Sequence, residues 1–224
     1  MTYVLAAITV FTTTLLNAQV HIGVKGGLNF SDANTEAFID AVNDAPSTFT
    51  SFVVGGLAEV PINQNFSFQP EILYSKKGFT INEGTSFDLF GVDVPIGAKA
   101  TTSISYIETP LLAKVKLGHG KAKIYGIAGP SIGYATSARI QPKVTLLIDF
   151  NLPTVDLDLS DNMYNRTDIS GILGGGAEYM TTTGKLFTDI RYQHSFTNIL
   201  NNPIADIQVK NSGFQWIVGY SHAF

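Results

Sequence analysis

The feature that most constrains this chain is the order of the connections between its strand-like segments. Segments of about ten residues with alternating polar and apolar character recur along it, bounded by Gly, Pro, Asn, Asp or Ser clusters. Eight such segments can be counted, and no helical period of comparable length accompanies them. The predicted strands are residues 20–30, 51–60, 66–79, 102–117, 121–137, 167–180, 185–198 and 213–224.

The connections alternate strictly between long and short. The long ones are residues 31–50, 80–101, 138–166 and 199–212, and the short ones are 61–65, 118–120 and 181–184. Barrels of the bacterial outer membrane show this order, because their periplasmic turns are short, their external loops are long and their strand number is even. The pattern predicts an all-β fold: an eight-stranded antiparallel up-and-down transmembrane β-barrel with short periplasmic turns and long extracellular loops.

The N-terminus differs in character from the rest of the chain. Residues 3–16 form an uncharged apolar run, followed by Asn17, Ala18 and Gln19. The run is shorter than the about 20 residues that a membrane helix needs, and it is typical of a signal peptide. We therefore expect residues 1–19 to direct export and residues 20–224 to form the barrel in the outer membrane. No Lys or Arg precedes Lys25, which leaves open whether Met1 is the true start.

Alternation assigns one face of each segment to lipid and the other to the barrel interior. In the last segment Phe214, Trp216 and Val218 share a face, and Gln215 lies on the opposite one. Segments 51–60 and 121–137 are rich in Gly and do not alternate clearly. In the first segment, the apolar face is Val20, Ile22, Val24, Leu28 and Phe30, and the polar face is His21, Lys25 and Asn29.

The same parity directs charged side chains into the interior. A barrel of eight strands is narrow enough for side chains to fill it. A buried charge without a partner costs several kcal/mol, so we expect the acids and bases to pair across the lumen and to plug it. The predicted network consists of Lys25, Glu59, Glu71, Lys77, Glu108, Lys114, Glu178, Asp189 and Arg191.

Composition excludes several classes of function. The chain has no Cys, which removes disulfides, thiolate zinc sites and thiol nucleophiles. Its net charge of -4 argues against a nucleic-acid partner. The four His residues show no metal-ligand spacing, and no phosphate loop or dinucleotide fingerprint occurs. We therefore expect no cofactor and no metal. The His residues are His21, His119, His194 and His222.

Two motifs suggest chemistry and fail on inspection. Asp189, His194 and Ser195 supply the residue types of a hydrolase triad, but strand parity points His194 and Ser195 in opposite directions. The run 156–162 begins like a calcium loop with Asp156, Asp158 and Asp161, but it lacks the Gly and the bidentate Glu of such a loop. We expect no catalytic residue. Acidic residues also mark the first long loop, namely Asp32, Glu36, Asp40 and Asp44.

Two other interpretations stay open. A soluble lipocalin-like barrel would reverse the faces and enclose a small hydrophobic ligand. An outer-membrane hydrolase or acyltransferase would need a polar cluster at the loop-side rim. Against the soluble barrel stands the C-terminus, where Tyr220, His222 and Phe224 are typical of the signal that directs outer-membrane barrels to their assembly machinery.

Several sequence blocks resemble the PorT-like outer-membrane β-barrel family, whose members are often described as porin family proteins. The resemblance spans nearly the whole chain after residue 19, and it depends on the order and spacing of the blocks together. They are GVKGGLN at 23–29, QPEILYSKKG at 69–78, YIETPLLAK at 106–114, GPSIGY at 129–134, DIRY at 189–192, Gly219-Tyr220 and Phe224.

The resemblance implies an integral barrel, and some members of the family are linked to protein secretion. The expected partners are outer-membrane lipid, the barrel-assembly machinery and secretion or transport components. We expect a structural, interaction or accessory role without enzymatic activity. The sequence does not predict a specific partner or an oligomeric state.

Overall fold

The computed structural model describes residues 19–34, 47–89, 92–146, 149–151, 155–157, 166–197 and 210–224. These residues form ten β-strands, and none of them belongs to a helix that is long and apolar enough to span a bilayer. The strands are β1 (His21–Asn34), β2 (Ser47–Pro61), β3 (Phe66–Leu89), β4 (Val92–Leu117), β5 (Ala122–Leu146), β6 (Asp149–Asn151), β7 (Val155–Leu157), β8 (Thr167–Met180), β9 (Lys185–Ser195) and β10 (Lys210–Ala223).

Eight of these strands close into a barrel in which all pairings are antiparallel. Each strand pairs with its neighbour in chain order, with β5 passing to β8. The first and last strands pair through fourteen residues, from His21↔Ala223 to Asn34↔Lys210, so the sheet has no open seam there. The short β6 and β7 both pair with β5. The predicted fold class is confirmed.

Three short connections mark one end of the barrel, which we call the turn end; the opposite end is the loop end. In the connection of residues 118–120, Gly118 and Gly120 have φ of 109° and 84°, a backbone conformation that side chains with a Cβ rarely adopt. In the turn before β3, the Oδ1 atom of Asn63 accepts hydrogen bonds from the backbone N–H groups of Asn65 and Phe66 at 2.9 and 2.8 Å. Such turn chemistry is typical of tight hairpins.

The exterior of the barrel is apolar and the interior is mostly polar. On β10, Trp216 and Val218 are about half exposed, whereas Gln215 is buried. On β3, Ile72 is exposed and Glu71 is buried. The face assignments made from alternation are confirmed, and the structure also settles the Gly-rich β2 and β5: Val53, Leu57, Tyr125 and Ile127 point inward, and Phe52, Val54, Ile124 and Ile132 point outward.

Two of the predicted long loops are wrong where the structure has strands, namely at residues 80–89 and 92–101 of the first and at residues 138–146, 149–151 and 155–157 of the second. Residues 80–101 continue β3 and β4 as a paired hairpin, in register from Thr80↔Thr101 to Leu89↔Val92. Residues 138–146 continue β5 and pair with β4, β6 and β7. Ladder hydrogen bonds satisfy the backbone polar groups of these segments, so strands persist through the Gly, Pro, Asn and Asp residues that favoured loops. These extensions make β3, β4 and β5 the longest strands of the described chain, at 24, 26 and 25 residues.

Some sequence-based expectations concern residues outside this description. They are the signal peptide up to residue 18, the acidic residues Glu36, Asp40 and Asp44, and the calcium-like run beyond residue 157.

Candidate functional site: the charged lumen

Twelve charged side chains lie buried inside the described part of the barrel. They include six carboxylates and six basic groups. The numbers of acidic and basic groups are therefore equal. They form three clusters along the barrel axis, which we name by position. The turn-end cluster is Glu59, Lys114, Lys116, Glu178 and Lys185; the central cluster is Lys25, Glu71, Asp189 and Arg191; the loop-end cluster is Lys77, Glu108 and Asp168.

Arg191 organises the central cluster. Its Nη1 and Nη2 atoms donate to the two carboxylate oxygens of Glu71 at 2.8 and 3.1 Å, while Nε donates to Asp189 at 2.5 Å. Lys25 forms a further ion pair with Glu71, and the Tyr125 hydroxyl donates to Asp189 at 3.0 Å. Bidentate, charge-assisted pairs of this type are stronger and more directional than neutral hydrogen bonds.

Glu59 is the centre of the turn-end cluster. Its carboxylate contacts Lys114 and Lys116, each at 3.0 Å, and it also pairs with Lys185. Ser67 donates a hydroxyl hydrogen bond to the same group at 3.0 Å. Glu178 accepts from Lys114 at 2.6 Å, so three ammonium groups share two carboxylates.

In the loop-end cluster a single lysine serves two acids. Lys77 pairs with Glu108 and lies 3.3 Å from Asp168. Ser195 donates to Asp168. The side-chain amide of Gln193 donates to Ser170 at 2.7 Å. This polar chain continues to β10 through Gln215, whose amide donates to Gln193 at 3.1 Å.

Apolar side chains fill the space between the charged clusters. Six buried apolar side chains form one such group, next to the turn-end cluster. The ammonium of Lys114 lies 3.9 Å from the centre of the ring of Tyr125, which belongs to this group. An ammonium over an aromatic face is attracted by the ring quadrupole. Alternation did not predict this group, because half of its members lie on β2 and β5, which are rich in Gly and do not alternate clearly. The group is Leu57, Leu112, Tyr125, Ile127, Ile172 and Phe187.

Glycines on β8 make room for the central cluster. A Cβ on Gly176 would lie 2.8 Å from the Tyr125 ring and 2.7 Å from Cβ of Asp189. A Cβ on Gly174 would lie 3.2 Å from Cγ of Arg191. Gly174 and Gly176 therefore leave the space that the side chains of Arg191 and Tyr125 occupy.

All nine charged residues expected in the lumen point inward and contact at least one opposite charge or polar partner. Three buried charges were not among them: Lys116, Asp168 and Lys185. Each lies at or near a strand end and shares the inward parity of a residue that was included, as Lys116 does with Lys114. Extending the parity argument to the strand ends would have found them.

The structure separates the residues of the suspected hydrolase triad. Asp189 and Ser195 are buried in the lumen, where they contact Arg191 and Asp168 respectively. The His194 ring lies outside between Tyr192 and Phe196, with ring centroids 6.4 and 5.6 Å away. Among the described residues no group of three or more His, Cys, Asp or Glu side chains is placed to hold a metal ion.

The C-terminal residues are anchored at the turn end. Tyr220 donates to the Thr183 hydroxyl at 3.2 Å, and the His222 ring contacts the carbonyl of Thr183. His222 and Phe224 meet edge to face, with ring centroids 5.2 Å apart. The backbone N–H of Phe224 donates to the carbonyl of Val20 at 2.9 Å. The contacts with Thr183 hold the end of β10 against the turn of residues 181–184, and the bond to Val20 holds it beside the start of β1.

Comparison with protein families gives one match, to a family described as Outer membrane protein beta-barrel domain, over residues 16–201. This covers more than half of the chain. Comparison with curated proteins gives no match.

Three solved structures to which this chain is similar are a Neisserial surface protein, an outer membrane protein and an attachment invasion locus protein. Neisserial surface protein A is 15% identical, with 91% of this chain and 97% of that chain covered and a TM-score of 0.45. OprG from Pseudomonas aeruginosa is 12% identical, with 92% and 96% covered and a TM-score of 0.42. Ail of Yersinia pestis, solved with a heparin analogue, is 12% identical, with 92% and 99% covered and a TM-score of 0.38.

Proposed function

We propose that this chain, which belongs to the outer membrane protein beta-barrel domain family, is an integral barrel with a sealed lumen that acts through its surfaces. Its role is structural or interactive, without catalysis and without a diffusion pathway. The observation that carries this proposal is the set of paired charges that crosses the lumen in three clusters. We place the turn end at the periplasm and the loop end outside the cell, because short turns face the periplasm in outer-membrane barrels.

The burial of the lumen charges supports a closed barrel. The side chains of Arg191, Glu71 and Glu108 have no accessible surface, so no space as large as a water molecule touches them. A cavity at the loop end, lined in part by Asn29, Lys77 and Gln193, measures about 10 Å³. That volume is close to the space one water molecule occupies. A hydrated solute needs a much wider path.

Conductance measurements test the closed lumen. The protein is refolded, inserted into planar bilayers and compared with a variant in which Lys25, Glu71, Asp189 and Arg191 are all replaced by Ser. We expect the unmodified barrel to show no unit conductance and any conductance to appear only in the variant, because the two acids and two bases of the central cluster are removed together and no lone charge remains. Steady channel openings by the unmodified protein would contradict the proposal. Heat-dependent mobility on a gel checks that both proteins are folded barrels.

The finer assignment to the PorT-like group and an accessory role in secretion are also proposals. The sequence blocks at 23–29, 69–78 and 106–114 support them, together with the long hairpin of β3 and β4. Within the described residues, β2 pairs with β3 as far as Ser47↔Thr80, while β3 and β4 stay paired to Leu89↔Val92. The proposed contact surface for partner proteins is the part of this hairpin beyond Thr80.

Crosslinking from this hairpin tests the accessory role. A photoreactive side chain at Thr85 would capture secretion or transport components in membranes if the hairpin binds them. The same group at Ile62, in the turn of residues 61–65 at the opposite end, is the control. Capture that is equal from both positions, or absent from both, would favour a bare structural barrel.

Export and assembly complete the proposal. Residues 1–19 would be removed on export, and Tyr220, His222 and Phe224 would act as the assembly signal. Sequencing the N-terminus of the mature protein tests the first point. Replacing Phe224 by Ser tests the second: we expect less folded barrel in membranes and normal refolding of the purified chain, because an assembly signal acts only in the cell.

Observations on both faces weigh against the two alternatives. A lipocalin-like barrel would bury its apolar stripe, but here Ile72, Leu173 and Phe196 are each more than 60% exposed on the outside. A hydrolase of the Ser-His-Asp type would need its His and Ser side chains in contact. Here the barrel wall separates His194 from Ser195.

A further inference from the structure

The turn-end cluster carries more positive than negative charge. Lys114, Lys116 and Lys185 surround the two carboxylates of Glu59 and Glu178. The central cluster is the next one along the barrel axis toward the loop end. It has two bases and two acids, so its net charge is zero. The loop-end cluster has the opposite excess and lies on the far side of the central one. The turn end of the lumen therefore carries one excess positive charge. In the orientation proposed above, this end is the periplasmic mouth of the barrel.

Two polar atoms at the same mouth have no hydrogen-bond partner in the described part of the chain. They are Nδ1 of His21 and Oγ of Ser221. Ser221 is completely buried and lies opposite Lys185 in the β9–β10 register. His21 lies opposite Glu59 in the β1–β2 register. Buried polar atoms in native proteins are usually paired, so two unpaired atoms beside an excess positive charge indicate a missing acceptor.

Accessibility shows from which side such an acceptor would arrive. Lys116 is the most exposed ammonium of the cluster, with 10% of its side chain accessible, and His21 is half-buried at the first residue of β1. Asn65, in the turn before β3, holds the backbone of Lys116 through two hydrogen bonds at 2.7 and 2.9 Å. An anion approaching from the periplasm would meet Lys116 and His21 first.

We propose that the periplasmic mouth of the barrel binds a phosphate group, with Lys116 and His21 in contact with it and Lys185 and Ser221 behind them. A phosphate offers several acceptor oxygens to donors that converge from different strands, and lysine binds phosphate as a point charge. The four residues come from β4, β1, β9 and β10, so only the closed barrel brings them together. The phosphate can be inorganic phosphate or the headgroup of a phospholipid in the inner leaflet.

Calorimetric titration with inorganic phosphate tests the site directly. The refolded protein is titrated in octyl glucoside, which contains no phosphate, at constant ionic strength set by chloride. We expect saturable binding of one phosphate per chain. Lys116→Gln and His21→Gln should each weaken it about tenfold, which corresponds to the loss of one charge-assisted hydrogen bond.

Lys121→Gln is the matched control, because Lys121 is an exposed lysine in the neighbouring turn and makes no ion pair with the cluster. It should leave the affinity unchanged. Equal weakening by Lys121→Gln would show nonspecific attraction to surface lysines and overturn the proposal. Absence of saturable binding in the unmodified protein would overturn the inorganic form of the ligand.

A lipid arm separates the two sources of phosphate. Native mass spectrometry of the barrel extracted from bilayers containing phosphatidylglycerol would show one retained lipid, lost in Lys116→Gln and kept in Lys121→Gln, if the headgroup is the ligand. Neither saturable phosphate binding nor retained lipid would overturn the proposal as a whole. Heat-dependent gel mobility and bilayer conductance are measured on the same samples, so failure of the phosphate site is distinguished from failure of the sealed barrel.

Discussion

Arg191 of β9 and Glu71 of β3 are joined by two hydrogen bonds of 2.8 and 3.1 Å across the barrel, although three other strands separate them in the sheet. Both side chains are fully buried. The pair therefore ties opposite walls of the lumen together. Its members lie 120 residues apart in sequence, so the tie exists only after the whole sheet has closed.

Removal of the guanidinium should destabilise the barrel strongly. Arg191→Ala leaves the carboxylates of Glu71 and Asp189 buried without their main partner, and breaking a buried pair costs about 3–5 kcal/mol. Urea titration in detergent, followed by the gel shift of the folded form, measures the change. The exposed Lys121→Ala should stay within about 0.5 kcal/mol. A similar small effect for Arg191→Ala would mean that the cross-lumen tie adds little stability.

Glycines of β8 and β5 should tolerate replacement by Ala to different degrees, according to whether they face the lumen or the exterior. Gly176→Ala places a methyl group 2.8 Å from the Tyr125 ring and 2.2 Å from the carbonyl oxygen of Thr188, so we expect a loss of about 1–3 kcal/mol. Gly126→Ala meets only the carbonyl oxygen of Gly174 at 3.9 Å and should change stability little. Refolding yield and urea midpoint compare the two. Equal losses would show that packing around Tyr125 is not the constraint.

A charge on the outer face should be costly in the membrane and harmless in water. Ile190 is 59% exposed near the middle of β9. Ile190→Arg in a lipid-facing position should cost about 2–4 kcal/mol at the bilayer midplane, while Leu186→Arg, closer to the periplasmic interface, should cost about 0–1 kcal/mol. Folding titrations into liposomes measure both values. If both variants fold as well as the original chain, the exterior does not face hydrocarbon.

The single tryptophan reports the environment of the outer face. Trp216 is 52% exposed, and its indole N–H donates to the Thr188 hydroxyl at 3.1 Å, so its polar atom is satisfied without water. We expect its fluorescence in liposomes to be quenched by lipids with brominated acyl chains and to be insensitive to iodide in solution. Unfolding in urea should reverse both responses. Strong quenching by iodide in the folded protein would place this face in water.

The sequence determined the strand number, the face of most residues and the identity of nine lumen charges, because a period of two is a local property of the chain. It was less successful beyond residue 80 and residue 138, where it predicted loops and the structure has strands. Both segments alternate, as Val92, Val94 and Ile96 show in the first, but they also contain Gly, Pro, Asn or Gln residues that favour turns and loops. Whether such a segment pairs depends on the neighbouring strand, which local pattern does not contain.

Partner choice inside the lumen was decided by the tertiary structure alone. Parity points Glu59, Glu71 and Glu108 inward, but only the register of the closed sheet brings Glu59 to three lysines, Glu71 to Arg191 and Glu108 to Lys77. The same closure separates His194 from Ser195 and gathers Lys116, His21 and Ser221 at one mouth. Side-chain direction follows from neighbours in the chain, whereas contact across a barrel follows from which strand lies opposite, and that is set only when the first strand pairs with the last.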